Sequence, residues 1–264
     1  VFVVALAELH GTAEDEAAPL AADMGATAYD ARLLLAAGMP AVVKTTPDRH
    51  VALELLARLR ARGHGAVACD AGAVVASEDM VAMRRPRLGA DAVTLDDGGD
   101  EALPYADVLA LLPAVHQHRV ESATQKRETK LSMSRAVMTG GLAFTKTVKT
   151  DTRMAVEERD VVLYVFRRSG ATPWLLREHG TAWAGLGLPL APSEGENYRA
   201  AVAALRERAP GAAFDERLMT RKPAERASLA GSGGNTTVRS SSQAGVDLLA
   251  HLLATWIARK GADR

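Results

Sequence analysis

Along the first seventy residues, apolar and polar positions fall into short blocks with clear ends. Residues 2–7 are a continuous apolar run with β-branched members, which predicts a buried strand. Residues 14–24 are helix formers that stop at Gly25, a left-handed C-cap signal. Thr27 and Asp30 have the spacing of a capping box and open a second helix, which ends before Gly38 and Pro40. Residues 41–44 read as a second strand. Thr46-Pro47-Asp48 then starts a helix, with Pro at the first helical position and an acid in the first turn. Over 47–62, Ala52, Leu55, Leu56 and Leu59 recur at i, i+3, i+4 and i+7 and form one buried stripe. Glu54 and Arg58 sit on the outer face in the favourable i, i+4 order. Gly63 ends this helix, and 64–70 reads as a third strand. The predicted order is strand, helix, helix, strand, helix, strand, as one independent α+β domain over 1–72.

This order resembles the C-terminal domain of the bacterial ribosomal stalk protein. The resemblance is carried by MGATAYDARLLL at 24–35, PAVVK at 40–44 and the helix ending LRARGH at 59–64. In that family the helical face recruits translation factors through lysine-rich helices. Here those positions hold mostly Ala, Leu or Arg, so the resemblance implies the fold and not the factor-binding role.

The pattern changes after residue 71. Residues 71–86 read as a connector, with candidate strands at 81–88 and 92–95 and a turn at Asp96-Asp97-Gly98-Gly99. From 116 to 151 polar and small apolar residues alternate, with strand-like alternation at 145–150 and an interruption at Gly140-Gly141. Residues 161–166 form the clearest strand of this half. Gly170 turns the chain, and 173–177 reads as an antiparallel partner. A capping box at Ser193 and Glu196 opens a helix with Tyr198, Val202 and Leu205 on one face, closed by Pro210-Gly211. Antiparallel strands closed by one helix, with AVTLDD at 92–97 followed by LPYADVL at 103–109, resemble bacterial pleckstrin-homology-like domains over 80–218. Residues 219–243, rich in Ser and Gly, read as a linker. Residues 244–260 form a last helix with a broad apolar face of Val246, Leu248, Leu249, Leu252, Leu253, Trp256 and Ile257. Its polar stripe of Asp247, His251, Thr255 and Arg259 is narrow.

Composition narrows the functional classes. The 264 residues suit about two domains. Lys+Arg and Asp+Glu are 32 each, so the chain lacks the basic surplus of a dedicated nucleic-acid binder. The single cysteine, Cys69, excludes an intramolecular disulfide and a cysteine-built zinc site. The longest apolar stretches are far short of the ~20 residues of a spanning helix. The apolar start lacks a basic leader, so a cytoplasmic location is expected.

Candidate chemistry is sparse. His116 and His118 share one face of a strand, but no third metal ligand is near in sequence and His179 is remote. The glycine-rich GSGGNTT at 231–237 lacks the lysine of a phosphate loop and reads as linker. Cys69 reads as a structural thiol. Arg84, Arg85 and Arg87 with Lys126, Arg127, Lys130, Lys146 and Lys149 offer a basic face, against which interleaved acids favour an ordinary solvated surface. The expectation is a non-enzymatic binding or scaffold protein without cofactor or metal. Its β domain would meet a peptide, a protein or an anionic lipid surface, through Arg84, Arg85, Arg87, Lys146 and Lys149. Its terminal helix would dock through Leu249, Leu253 and Trp256 on a partner, on a second copy or on its own body. The rival expectation is an enzyme with a site around His116, His118 or His179; a third is peripheral membrane attachment.

Overall fold

The computed structural model describes residues 1–96, 101–131, 145–220, 226–232 and 235–262, with side chains described outside 119–156 and 221–240. Strand β1 (Phe2–Glu8) is the middle of a three-stranded antiparallel sheet, flanked by β2 (Ala41–Thr46) and β3 (Gly65–Asp70). Helices α1 (Ala13–Met24), α2 (Ala28–Ala36) and α3 (Arg49–Ala61) complete the expected order. The Thr27–Asp30 capping box forms in full. Helix α3 starts two residues later than its Thr-Pro-Asp signal suggests. Asp48 is the cap and accepts from the amides of His50 and Val51, while the Thr46 hydroxyl is spent on the Asp48 amide.

Alternation along β1 decides how this sheet is used. Val4 and Leu6 face the helices and meet Leu20, Leu35, Leu55 and Leu59 in one core. Val3, Ala5 and Ala7 face the other way, with Val67 of β3, and are just as buried. A strand buried on both faces needs cover on both. The second cover is α6 (Gln243–Ala262), the C-terminal helix. The contacts therefore do not divide at residue 72. They group Val1–His116, Asp160–Ala224 and Gln243–Arg264 into one unit, and Gln117–Arg159 with Glu225–Ser242 into a second.

Within the first unit, β9 shows the same use of both faces. This strand (Thr145–Arg167) is the partner of β10 (Trp174–Arg177). Val162, Tyr164 and Phe166 of β9 point into the core shared with α6. Leu163 and Val165 point into a third core, with Trp174, Leu176 and helix α4 (Glu194–Arg208). The large sheet also contains β4 (Val81–Ala82), β8 (Val108–Leu131) and β11 (Ala213–Phe214), the last lying parallel to β8. A small antiparallel sheet of β5 (Pro86–Leu88), β6 (Ala92–Leu95) and β7 (Ala102–Pro104) adds Val93 and Leu103 to the third core. The short helix α5 (Arg217–Thr220) follows β11. The chain is thus α+β, and among the described residues no helix is long and apolar enough to cross a membrane.

In the second unit, residues expected as a linker form a hairpin of β12 (Arg226–Ser232) and β13 (Asn235–Ser241). Strand β13 pairs antiparallel with β8, from Asn235 opposite Thr124 to Ser241 opposite His118. Ser242 extends the ladder, exchanging hydrogen bonds with the backbone of Gln117. The serine and threonine content suggests a solvated linker, but the open edge of β8 supplies backbone partners that composition does not reveal. Gly140-Gly141 and most of the Asp96–Gly99 turn lie outside the described residues.

Candidate functional site

Helix α4 forms one wall of an open concave feature of the first unit. Ser193 caps it by accepting from the Glu196 amide. The side-chain amide of Asn197, pinned to the backbone of Ala191 and Ser193, fixes its entry. Tyr198, Ala201, Val202 and Leu205 face the core as the sequence pattern requires. The adjoining stripe of Arg199, Ala203 and Arg206 borders an open groove of about 660 Å³. Pro113 of β8, Phe214 of β11, Glu216, and Met219 of α5 complete it. The Arg206 guanidinium lies over the Phe214 ring, 4.6 Å from its centroid. Tyr198 also lines the groove; its hydroxyl is buried with no hydrogen-bond partner among the described residues, and burial with the Glu178 and Asp160 carboxylates pushes its pKa up.

A second concentration of polar groups lies inside the core between β9 and α6. The Ser77 amide and hydroxyl both donate to the Asp247 carboxylate, the amide at 3.0 Å. The Tyr164 hydroxyl donates to the same carboxylate at 2.6 Å and lies 2.7 Å from His116 Nε2. Tyr164 has one proton and gives it to Asp247, so His116 Nε2 carries the hydrogen in their contact. Burial and the Asp247 carboxylate push the Tyr164 phenol well above its usual range. None of the four residues is more than 4% exposed. The cluster clamps the 77 segment, β8, β9 and α6 together, and Tyr164 and His116 are fully buried within it.

One turn further along α6, His251 Nε2 lies 3.2 Å from both the amide nitrogen and the carbonyl oxygen of Val75, and the ring packs edge-on against Phe166. Burial lowers its pKa below 6.5, against the opposing pull of the Val75 backbone hydrogen bond and of Asp247. The imidazole is neutral in the fold but takes up a proton in the unfolded chain near pH 6.5. This contribution is complete above that pH and is lost as pH falls through the folded value. Melting temperature is therefore expected to drop between pH 7 and 5, and His251→Gln should flatten that drop. An unchanged pH profile in the variant would remove His251 as the cause. His179, exposed and held charged by Glu194, acts in the opposite sense under solvent screening, so His179→Asn serves as the control.

The residues singled out in the sequence separate in the fold. Arg84, Arg85 and Arg87 are exposed in the first unit, and Arg87 pairs with Asp96 at 2.7 Å. Arg84 borders a cavity of about 290 Å³ with Ser77, Arg177 and His179. Lys146 and Lys149 lie in the part of β9 that belongs to the second unit, and their side chains are outside the described ones. Leu249 and Leu253 are spent in the chain's own core, so they are not presented to a partner. Trp256 is half-buried with its ring over Gly65, where an added Cβ would come within 2.7 Å of it. His116 is a core residue and His118 is half-buried in the other unit. Burial and Asp70 push the Cys69 thiol up, away from nucleophile behaviour. Among the described residues no group of three or more His, Cys, Asp or Glu is placed to hold a metal.

Sequence reasoning missed the groove and the clamp. Asp247 and His251 read as the outer stripe of the last helix, yet Asp247 is 2% exposed. The available signal was two polar residues four apart within a helix that is apolar on both flanks. Compared with protein-family models, curated proteins and solved structures, the chain gives no match.

Proposed function

We propose that this chain is a non-enzymatic binding protein that receives a segment of a partner protein in the groove beside α4. The observation that supports this most is the groove itself: an open concavity of about 660 Å³ with an apolar lining of Val202, Phe214 and Met219 and charged groups at its edge. A few polar groups around an apolar surface is the usual form of a recognition site. The polar cluster of Ser77, His116, Tyr164 and Asp247, by contrast, is buried in the core and serves to hold α6. The binding surface moves from the terminal helix, whose leucines are internal, to α4. A cytoplasmic location goes with this reading.

Ala203 is exposed on the groove wall, so Ala203→Trp fills the groove without disturbing the core. Peptide-library selection on the intact chain should enrich ligands that the variant no longer binds, while both proteins melt at the same temperature. Enriched ligands that bind wild type and variant equally would place recognition elsewhere, and the groove reading would fall.

A further inference from the structure

We infer that the occupant of the groove is an acidic amphipathic helix of a partner protein, with two carboxylates flanking a pair of large apolar side chains. This rests on the reading of the groove as the recognition site and names the chemistry of what it takes. Arg199, Val202, Ala203 and Arg206 stand at i, i+3, i+4 and i+7 of α4, so the two arginines lie on one stripe with small and apolar residues between them. Seven residues of helix put them about 10 Å apart.

Among the described residues neither arginine forms an ion pair. Arg199 donates only to the Gly195 carbonyl, and Arg206 is held by the Phe214 ring. A guanidinium stacked on a ring keeps its edge N–H groups for a carboxylate. Two unmatched cations at this separation, with apolar surface between, are complemented by the same spacing in a partner helix: acid at i, apolar at i+3 and i+4, acid at i+7. Glu207 and Glu216 also line the groove and oppose an acidic ligand. The arginine stripe therefore sets the register of the ligand while the glutamates limit its affinity.

The test uses fluorescence anisotropy with three labelled helical peptides on the intact chain. One carries Glu, Leu, Leu and Glu at i, i+3, i+4 and i+7; in the others Gln or Lys replaces both Glu. The Glu peptide should bind about tenfold or more tightly than the Gln peptide and lose affinity with added salt; the Lys peptide should bind weakest. Arg199→Gln with Arg206→Gln should erase the Glu-over-Gln preference. Both side chains are exposed, and an unchanged melting temperature confirms the fold. Glu207→Gln should tighten the Glu peptide a few-fold. If the Gln peptide binds as well as the Glu peptide and both are lost in Ala203→Trp, the groove stands and the acidic ligand is wrong. If the Glu peptide binds Ala203→Trp unchanged, the groove reading fails too. If no peptide binds, the inference is overturned, and the library selection alone decides the groove.

Discussion

Leu253→Asp unfolds the first unit instead of releasing a partner. Leu253 is 0% exposed and packs among β1, β3, β9 and α6 side chains in one core. The substitution removes a buried apolar side chain, a loss of about 2–5 kcal/mol for leucine truncation alone. It also places a carboxylate in a core cluster of apolar side chains, which adds to that loss. Together these approach the whole stability of a domain, about 5–15 kcal/mol. The expected result in urea denaturation is a chain without a native baseline, or with a midpoint close to zero denaturant. Thr255→Asp, on the exposed side of the same helix, should change stability by less than about 0.5 kcal/mol. A folded Leu253→Asp protein with altered association would restore the idea of a partner-docking helix.

Asp247→Ala is the second large effect. Its carboxylate receives the Ser77 amide, the Ser77 hydroxyl and the Tyr164 hydroxyl, so truncation strips three buried donors of their acceptor and leaves the two hydroxyls their mutual contact at 3.4 Å. At about 1–3 kcal/mol for each buried group left without a partner, and with one pocket for the donors to share, the cost should be about 3–5 kcal/mol. Asp247→Asn keeps one acceptor oxygen and should cost clearly less. Tyr164→Phe should cost about 1–3 kcal/mol, because His116 Nε2 and Asp247 each lose one contact. The double variant should fall short of the sum of the two singles, since both act on one network. An Asp247→Ala loss below about 1 kcal/mol would mean that water enters and serves the donors, and the clamp would not be a dry one.

Both expectations turn on the same boundary between local and long-range information. The first seventy residues were legible because their signals are local. Thr27 and Asp30 reach each other across three residues, Gly25 meets the left-handed cap, and Leu55 and Leu59 share a face by helical period alone. The strand at 161–166 and the helix opened by Ser193 were legible for the same reason. The cover on the far face of β1 was not. Val3, Ala5 and Ala7 read as part of a buried strand, but nothing near them says that the covering helix lies at the opposite end of the chain. Residues 226–241 read as a linker because serine and glycine content is a local property, whereas a strand edge on β8 is not.

The candidate site divides along the same line. Helical period alone sets the face of α4 that packs inward and, with it, the stripe of Arg199, Ala203 and Arg206 beside it. Only the tertiary structure brought Phe214 beneath Arg206 and Pro113 and Met219 around it, turning an ordinary charged helix face into a groove. It also turned Asp247 from a solvent-facing residue into the centre of the core clamp, because its partner Ser77 stands 170 residues away. Caps, turns and periodicity act over a few residues and are written into the chain. Desolvation of a carboxylate and the closing of a groove depend on which distant surfaces meet, and that is settled only when the apolar faces of β1, β9 and α6 are buried together.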